Sequence, residues 1–172
     1  MQGRQGGSCG PSGRVLAGTV VDLARVPLGL AVRHGAARPE IGTVDAFRQA
    51  LLRAKSISSD SSAKIYIVAK MLPQLGVADA VTSKMVSKGA LAAASGESDF
   101  VILPVSELFS AQGVDFVGII PAEIQHVSVF TAAVVTGSNR QEAAKRLIAF
   151  LASESATAAI KKSGMQPARS RE

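Results

Sequence analysis

Ser59, Asp60, Ser61 and Ser62 set four short oxygen-bearing side chains in a row. Such side chains accept hydrogen bonds from the unpaired N–H groups in the first turn of a helix. A helix start can also hold an anion, because its free amides and the positive end of its dipole point at whatever sits there. The run therefore has two readings, a plain helix cap or one wall of an anion site. Other residue types that do chemistry are sparser. His34 and His126 are the only histidines, each without an obvious acidic partner nearby in the chain, and both read as surface residues. Glu107 and Glu123 could pair as acid and base, yet each stands at the start of an element, where a carboxylate also complements a helix dipole or stays solvated. There is no G-x-S-x-G elbow, H-E-x-x-H or Walker-type glycine loop, so no residue is assigned a catalytic role and no cofactor is expected. Cys9 is the only cysteine, which excludes an intrachain disulfide and a thiolate zinc cluster, and no metal site is expected.

The serine run sits inside a longer unit, residues 54–76. Around Lys55, Ser56, Ile57 and Ser58 polar and apolar side chains alternate, the period of a strand with one buried face. After the run, Ile65, Val68, Ala69, Leu72 and Leu75 recur at helical spacing and predict an apolar helix face, with Gly76 as the left-handed stop. A strand feeding a hydroxyl-rich helix start is thus the unit around which the rest is arranged.

The elements on either side predict a layered α/β fold with a largely parallel sheet. Val20, Val21, Leu23 and Val26 lead through Pro27 into the continuous apolar run 28–32, which suits a strand buried on both faces. Thr43 caps a helix whose inner stripe is Phe47, Ala50, Leu51 and Ala54. Met85 and Val86 suggest a short strand, and 90–95 an alanine-rich helix stopped by Gly96. Residues 99–103 form a buried strand ended by Pro104, which has no N–H to pair, and 105–109 a short helix at that strand's carboxyl end. In open α/β sheets this end of the strands is where ligands bind. Further strands are expected over 114–120 and 127–135. Ser138 and Gln141 have the spacing of a capping box before a helix whose inner face is Ala144, Leu147, Ile148 and Leu151. A last helix, about 154–162, ends at Gly164 with Met165 folding back on it.

Composition narrows the function classes. The chain has 172 residues, 47% hydrophobic and 19% charged, which suits one ordinary domain and excludes wholesale disorder. The formal charge is +6, but the basic residues are scattered and no Arg/Lys stripe interleaves with aromatics, so nucleic acid is not the expected partner. The longest apolar runs, such as 130–135, fall far short of the roughly 20 residues of a spanning helix, so no membrane insertion is expected. Residues 1–13 hold glycine, serine, proline and polar side chains, which cannot pack a core and read as a disordered arm without the apolar centre of a signal peptide. Residues 168–172 read as a basic tail.

Several stretches, taken in order, carry a resemblance to a known family. They are VDLARVPLGLAVR at 21–33, ALLRAKSI at 50–57, GESDF at 96–100 with VSEL at 105–108, PAEIQ at 121–125, the helix 144–153, and KSG at 162–164. Together they resemble the molybdate-binding proteins, the substrate-capturing components of bacterial ABC importers, over about residues 13–167. The resemblance implies a type II periplasmic-binding-protein fold of two lobes that close on an oxyanion held by hydroxyls and backbone amides. A tetrahedral oxyanion offers only acceptors, so helix starts suit it. By resemblance the donors would come from Ser61, Ser62 and Ala63, from Val105 and Ser106, and from near Phe130. Family members often carry a tyrosine near that last position, and Phe130 has no hydroxyl to donate. Pro104 also stands where a polar residue is expected. Asp60 would repel an anion if it pointed inward and is assigned to capping.

The fold expectation is therefore α/β, with residues 14–167 forming a partial periplasmic-binding-protein domain. Its parallel-sheet central lobe, about 33–120, is nearly complete and its second lobe is incomplete. The family's chains begin with a signal peptide and the first part of one lobe, where this chain has its glycine-rich stub, so the sequence reads as a truncated binding protein or one with a misplaced start. The expected partners are a small anionic ligand and, by resemblance, an ABC permease. The expected location is the periplasm by resemblance, or the cytoplasm if the start is genuine. Two alternatives stand beside this reading: a ligand-sensing regulatory module of the same fold, and a nonfunctional remnant.

Overall fold

A computed structural model describes residues 14–168. The arm expected over 1–13, and the basic tail apart from Ala168, lie outside the described residues. Strand β1 (Val21–Arg33) opens the fold, followed by α1 (Val44–Arg53), β2 (Ile57–Ser58) and α2 (Ser61–Tyr66). A π-helical turn (Ile67–Met71) joins α2 to α3 (Leu72–Gln74), and α4 (Ala78–Val81), β3 (Met85–Val86) and α5 (Gly89–Ser95) come next. Then follow β4 (Phe100–Pro104), α6 (Val105–Ser110), β5 (Val114–Ile119), β6 (Val127–Ala132), α7 (Gln141–Leu151), α8 (Glu154–Lys162) and β7 (Gln166–Pro167).

The sheet is organised on β1. Its second half lies between β4 and β5 in the order β3-β2-β4-β1-β5, and its first half pairs with β6 and β7. Strands β2, β3 and β4 are parallel, while β1 is antiparallel to both β4 and β5. Four strands of the larger sheet thus run one way, as helical crossovers require, and β1 alone opposes them. The change of partners falls at Pro27 and Leu28: Pro27 faces Val127 of β6, and Leu28 faces Pro104 of β4. Residues 28–32, buried between helical layers, are the run that the sequence marks as covered on both faces.

Local signals form as their chemistry dictates. Thr43 accepts the Ala46 N–H at 3.1 Å, and Phe47, Ala50, Leu51 and Ala54 are all buried. The main core joins these to Leu28, Leu30, Val32, Ile57, Ile67, Met71, Leu72 and Ile102. Removing each large aliphatic or aromatic side chain from water contributes about 1.5–3 kcal/mol before entropy is counted.

Four expectations change. The helix after the serine run buries Ala63, Ile67, Met71, Leu72 and Leu75, whereas Ile65 is 71% exposed and Ala69 faces solvent. Pro73 explains the difference: it has no N–H to donate and its ring would clash with the carbonyl four residues back. The chain inserts one residue into this turn, with the Leu72 N–H donating to the Ile67 carbonyl, and so puts the residues before and after it out of phase with a single helical stripe. Strand β6 ends at Ala132 rather than 135, and Val135 makes only an isolated bridge to Val15. The capping box is not built, because α7 starts at Gln141 and Ser138 instead accepts the Arg140 N–H at 3.2 Å. On α7 Ile148 is buried, but Leu147 is exposed.

Candidate functional site

Strands β2 and β4 are parallel neighbours, so their carboxyl ends reach the same edge of the sheet. From that edge the chain leaves β2 through Ser59 and Asp60 into α2, and leaves β4 directly into α6. The turn after β2 is fixed by its own hydrogen bonds. Ser59 is buried, its N–H donates to the Val86 carbonyl at 3.1 Å, and its carbonyl accepts the Gly89 N–H at 3.1 Å. The Ser58 hydroxyl donates to the carbonyl of the same glycine, Gly89, at 2.8 Å. Asp60 is the cap of α2: one carboxylate oxygen accepts the Ala63 N–H at 2.6 Å and the Ser62 hydroxyl at 2.8 Å. The Ser62 hydroxyl proton and the Ala63 amide are therefore engaged by Asp60, and Ser61 stands exposed beside them.

Helix α6 starts without a side-chain cap, since Pro104 occupies that position. Val105 is buried and packs where two glycines leave room. A Cβ on Gly29 of β1 would come within 3.0 Å of Val105 Cγ2, and one on Gly164, after α8, within 3.0 Å of Val105 Cγ1. Gly164 belongs to the KSG stretch singled out in the sequence; this close approach, with its φ of +76°, is a physical use for it. Ser106 and Glu107 follow on the first turn. Burial, and then the charge of Asp60, push the Glu107 carboxyl above its ordinary range. The two helix starts thus carry carboxylates within electrostatic reach of each other, and Glu107 keeps its proton to a higher pH than a solvated glutamate does.

Ser61, Ser62, Ala63, Val105 and Ser106 are brought to one sheet edge. Phe130 is not on it: the residue lies on β6, opposite Ala24, three positions beyond the crossover at Val127, and is half exposed.

The junction between the two parts of the sheet is held by a residue that spacing alone did not mark. The Gln125 amide nitrogen donates to the carbonyls of Leu28 and Ile120 at 3.0 and 2.9 Å. Its amide oxygen accepts the N–H groups of Leu28 and His126 at 2.8 and 2.9 Å. Next to it the His126 ring stacks on Tyr66 with centroids 4.3 Å apart, and the Tyr66 hydroxyl lies 3.3–3.4 Å from the carbonyls of Ile124 and Gln125. His126 is thus half-buried rather than a plain surface histidine. His34 is exposed, but its Nδ1 lies 2.8 Å from Asp115 Oδ1, an acidic partner far along the chain. That contact and the Gly35 N–H hold the Asp115 carboxyl below its usual range.

Burial, and then the charge of Lys70, hold His126 below its ordinary value of 6.5. A group whose folded pKa is depressed binds more protons when unfolded, so stability is fully present above about 6.5 and falls as pH drops through the folded pKa. Urea unfolding at steps below neutrality is expected to show this loss. The His126→Phe variant, which keeps a ring on Tyr66, is expected to flatten it; an unchanged slope would place the titration elsewhere.

Three cavities lie away from the helix starts: about 330 Å³ beside Arg33 and Arg53, about 300 Å³ between β1 and α8, and about 500 Å³ along α1. Among the described residues no group of three His, Cys, Asp or Glu side chains is placed to hold a metal ion. No helix among them is long and apolar enough to cross a membrane.

The sheet is thus mixed, with one strand shared between two sets of pairings and helix starts at its carboxyl edge. The chain belongs to the bacterial extracellular solute-binding protein family, whose pattern it matches over residues 10–166. It is similar to the substrate-binding domain of a molybdenum ABC transporter from Clostridium difficile, with a TM-score of 0.72 and 17% identity over 91% of this chain and 69% of the other. The periplasmic molybdate-binding protein of Azotobacter vinelandii gives 0.68 and 20%, over 89% and 70%. An aconitate isomerase from a Pseudomonas species is 36% identical over 161 residues, 91% of this chain. The chain spans 62% of that relative's length. At these identities the two solved structures show the fold alone, that of the periplasmic binding proteins.

Proposed function

We propose that this chain is the ligand-capturing component of an ABC importer, acting in the periplasm, and that its ligand is a small oxyanion of the molybdate type. The observation that carries the reading is the convergence of two helix starts, at Ser61 and at Val105 and Ser106, on one carboxyl edge of a parallel strand pair. Backbone amides and hydroxyls there supply donors without a full counter-charge, which suits an anion that must also be released. In this reading the candidate donors divide. The Ser61 hydroxyl and the amides at the uncapped start of α6 are the primary contacts, and Ser62 and Ala63 contribute through the cap that holds α2 in place. Phe130 would act only as an apolar wall, reached when the two parts of the fold close about the Gln125 junction.

Calorimetry with molybdate, tungstate and sulfate tests the reading. Saturable heat from one of them, lost in a Ser61→Ala/Ser106→Ala variant, is the expected result. No heat from any of the three would remove the oxyanion assignment.

A second reading rests on a separate observation. The 36% identical relative is an aconitate isomerase, and Glu107 is a carboxyl with a raised pKa beside Asp60 at the same edge. A carboxyl of that kind is suited to moving a proton on a carboxylate-bearing substrate. Incubation with trans-aconitate and detection of the cis isomer separates the two: turnover abolished by Glu107→Gln supports the isomerase, and binding without turnover supports the carrier.

A further inference from the structure

At the end of the larger sheet remote from α2 and α6, two guanidinium groups border the cavity of about 330 Å³. Arg33 is the last residue of β1 and sits by the amino end of β4, whose carboxyl end leads into Val105. A strand of that length puts roughly 15 Å between the two ends. The Arg33 side chain is held against the turn after α5: a Cβ built on Gly96 would lie 3.2 Å from its Nη1, and Gly96 has a φ of +83°, which a side chain rarely adopts. Arg53 enters from the last turn of α1, where its charge also complements the helix dipole. Neither arginine forms an ion pair among the described residues.

The remaining lining adds one carboxylate, one hydroxyl and an aromatic surface. Asp99 is the acidic residue in the cavity wall, and one of its carboxylate oxygens accepts the Lys55 N–H at 2.6 Å. The Ser98 hydroxyl, in a residue only 4% exposed, meets the Ser56 hydroxyl at 3.3 Å, and Phe100 adds an aromatic surface. Two unpaired guanidiniums on one concave wall each offer a planar fork to an oxyanion group. A ligand spanning them keeps its charge toward the arginines and its carbon skeleton toward Phe100. We propose that this cavity is a second anion site, separate from the helix starts, that takes a small polyanion: a phosphate whose oxygens are shared between the two guanidiniums, or a polycarboxylate with one carboxylate on each.

The proposal does not depend on the ligand of the helix starts, and the test keeps the two apart. The full chain is titrated with inorganic phosphate and with citrate at constant ionic strength, followed by amide NMR shifts and calorimetry. Expected are saturable shifts at Arg33, Arg53 and Gly96 with at least one of the two anions. Affinity should fall about tenfold or more for each guanidinium removed, in Arg33→Gln and Arg53→Gln singly and together, the worth of a charge-assisted hydrogen bond. Ser61→Ala/Ser106→Ala is expected to leave this binding unchanged. The two arms separate a phosphate site from a polycarboxylate site. Non-saturable shifts with both anions, equal affinity in the folded arginine variants, or loss of the shifts at Arg33, Arg53 and Gly96 in the serine variant would each overturn the proposal.

Discussion

Gln125→Leu is expected to destabilise the fold by about 2–4 kcal/mol, out of proportion to a change at a residue that is not fully buried. Leucine fills a similar volume but gives up four hydrogen bonds, to the N–H and carbonyl of Leu28, the carbonyl of Ile120 and the N–H of His126. Leu28 keeps partial replacements, since its N–H also reaches the His126 carbonyl at 3.3 Å and its carbonyl accepts the Ile120 N–H at 3.1 Å. Ile120 and His126 lose these partners outright, which is where most of the cost arises. Gln125→Glu is expected to be no better, because a carboxylate cannot donate and would face two carbonyl oxygens. Urea unfolding measures both. A loss below about 1 kcal/mol would mean that water replaces the amide and that the junction is not held by it. The position matters because β1 changes partners at Pro27 and Leu28, so both chain crossings between the two parts of the sheet pass this one side chain.

Gly29→Val is the second large effect, expected to cost about 3 kcal/mol or more, at the upper end of overpacking. Even a lone Cβ at this position would lie 2.8 Å from a Phe116 ring carbon, 3.0 Å from Val105 and 3.1 Å from the Gly118 carbonyl oxygen. Phe116 can tilt, but it already packs edge-to-face on Phe109 at 5.2 Å, and the Gly118 oxygen belongs to the neighbouring strand. The strain therefore passes to Val105 and shifts the start of α6. The proposed oxyanion affinity should fall along with stability. Gly42→Ala is the matched control, with nothing within 4 Å of the new Cβ, and is expected to change stability by no more than about 0.5–1 kcal/mol. Chemical denaturation compares them, and equal costs would show that crowding at Gly29 is relieved without moving α6.

The carboxylates at the helix starts sharpen the ligand question. Asp60 is committed to Ser62 and Ala63, so its charge is partly spent in holding α2. Glu107 is not so committed, and burial and the charge of Asp60 raise its carboxyl above the ordinary range. An oxyanion carrier and a proton-moving isomerase make opposite demands on that residue, which is why Glu107→Gln is the informative substitution for both readings.

What the sequence determined by itself is most of what has its cause within a few residues, though the capping box at Ser138 and Gln141 is not built. Thr43 and Asp60 cap the helices that follow them, and Phe47, Ala50 and Leu51 face inward because the next turn repeats the apolar choice. Gly76, Gly96 and Gly164 sit at positive φ at the ends of helices, as a left-handed stop requires. The ordered set of stretches also carried the family and the fold. Tertiary structure decided the rest, because the partners are far apart in the chain and no spacing encodes them. Asp115 reaches His34, and Gln125 clamps Leu28. Glu107 feels Asp60, and Arg33 and Arg53 border one cavity. One local reading failed for a local reason: Pro73 forces an extra residue into the turn before it, so the stripe through Ile65 and Ala69 faces solvent while Ile67 and Met71 face the core. The serine run was legible as a cap or an anion wall. Only the pairing of β2 with β4 set a second helix start beside it.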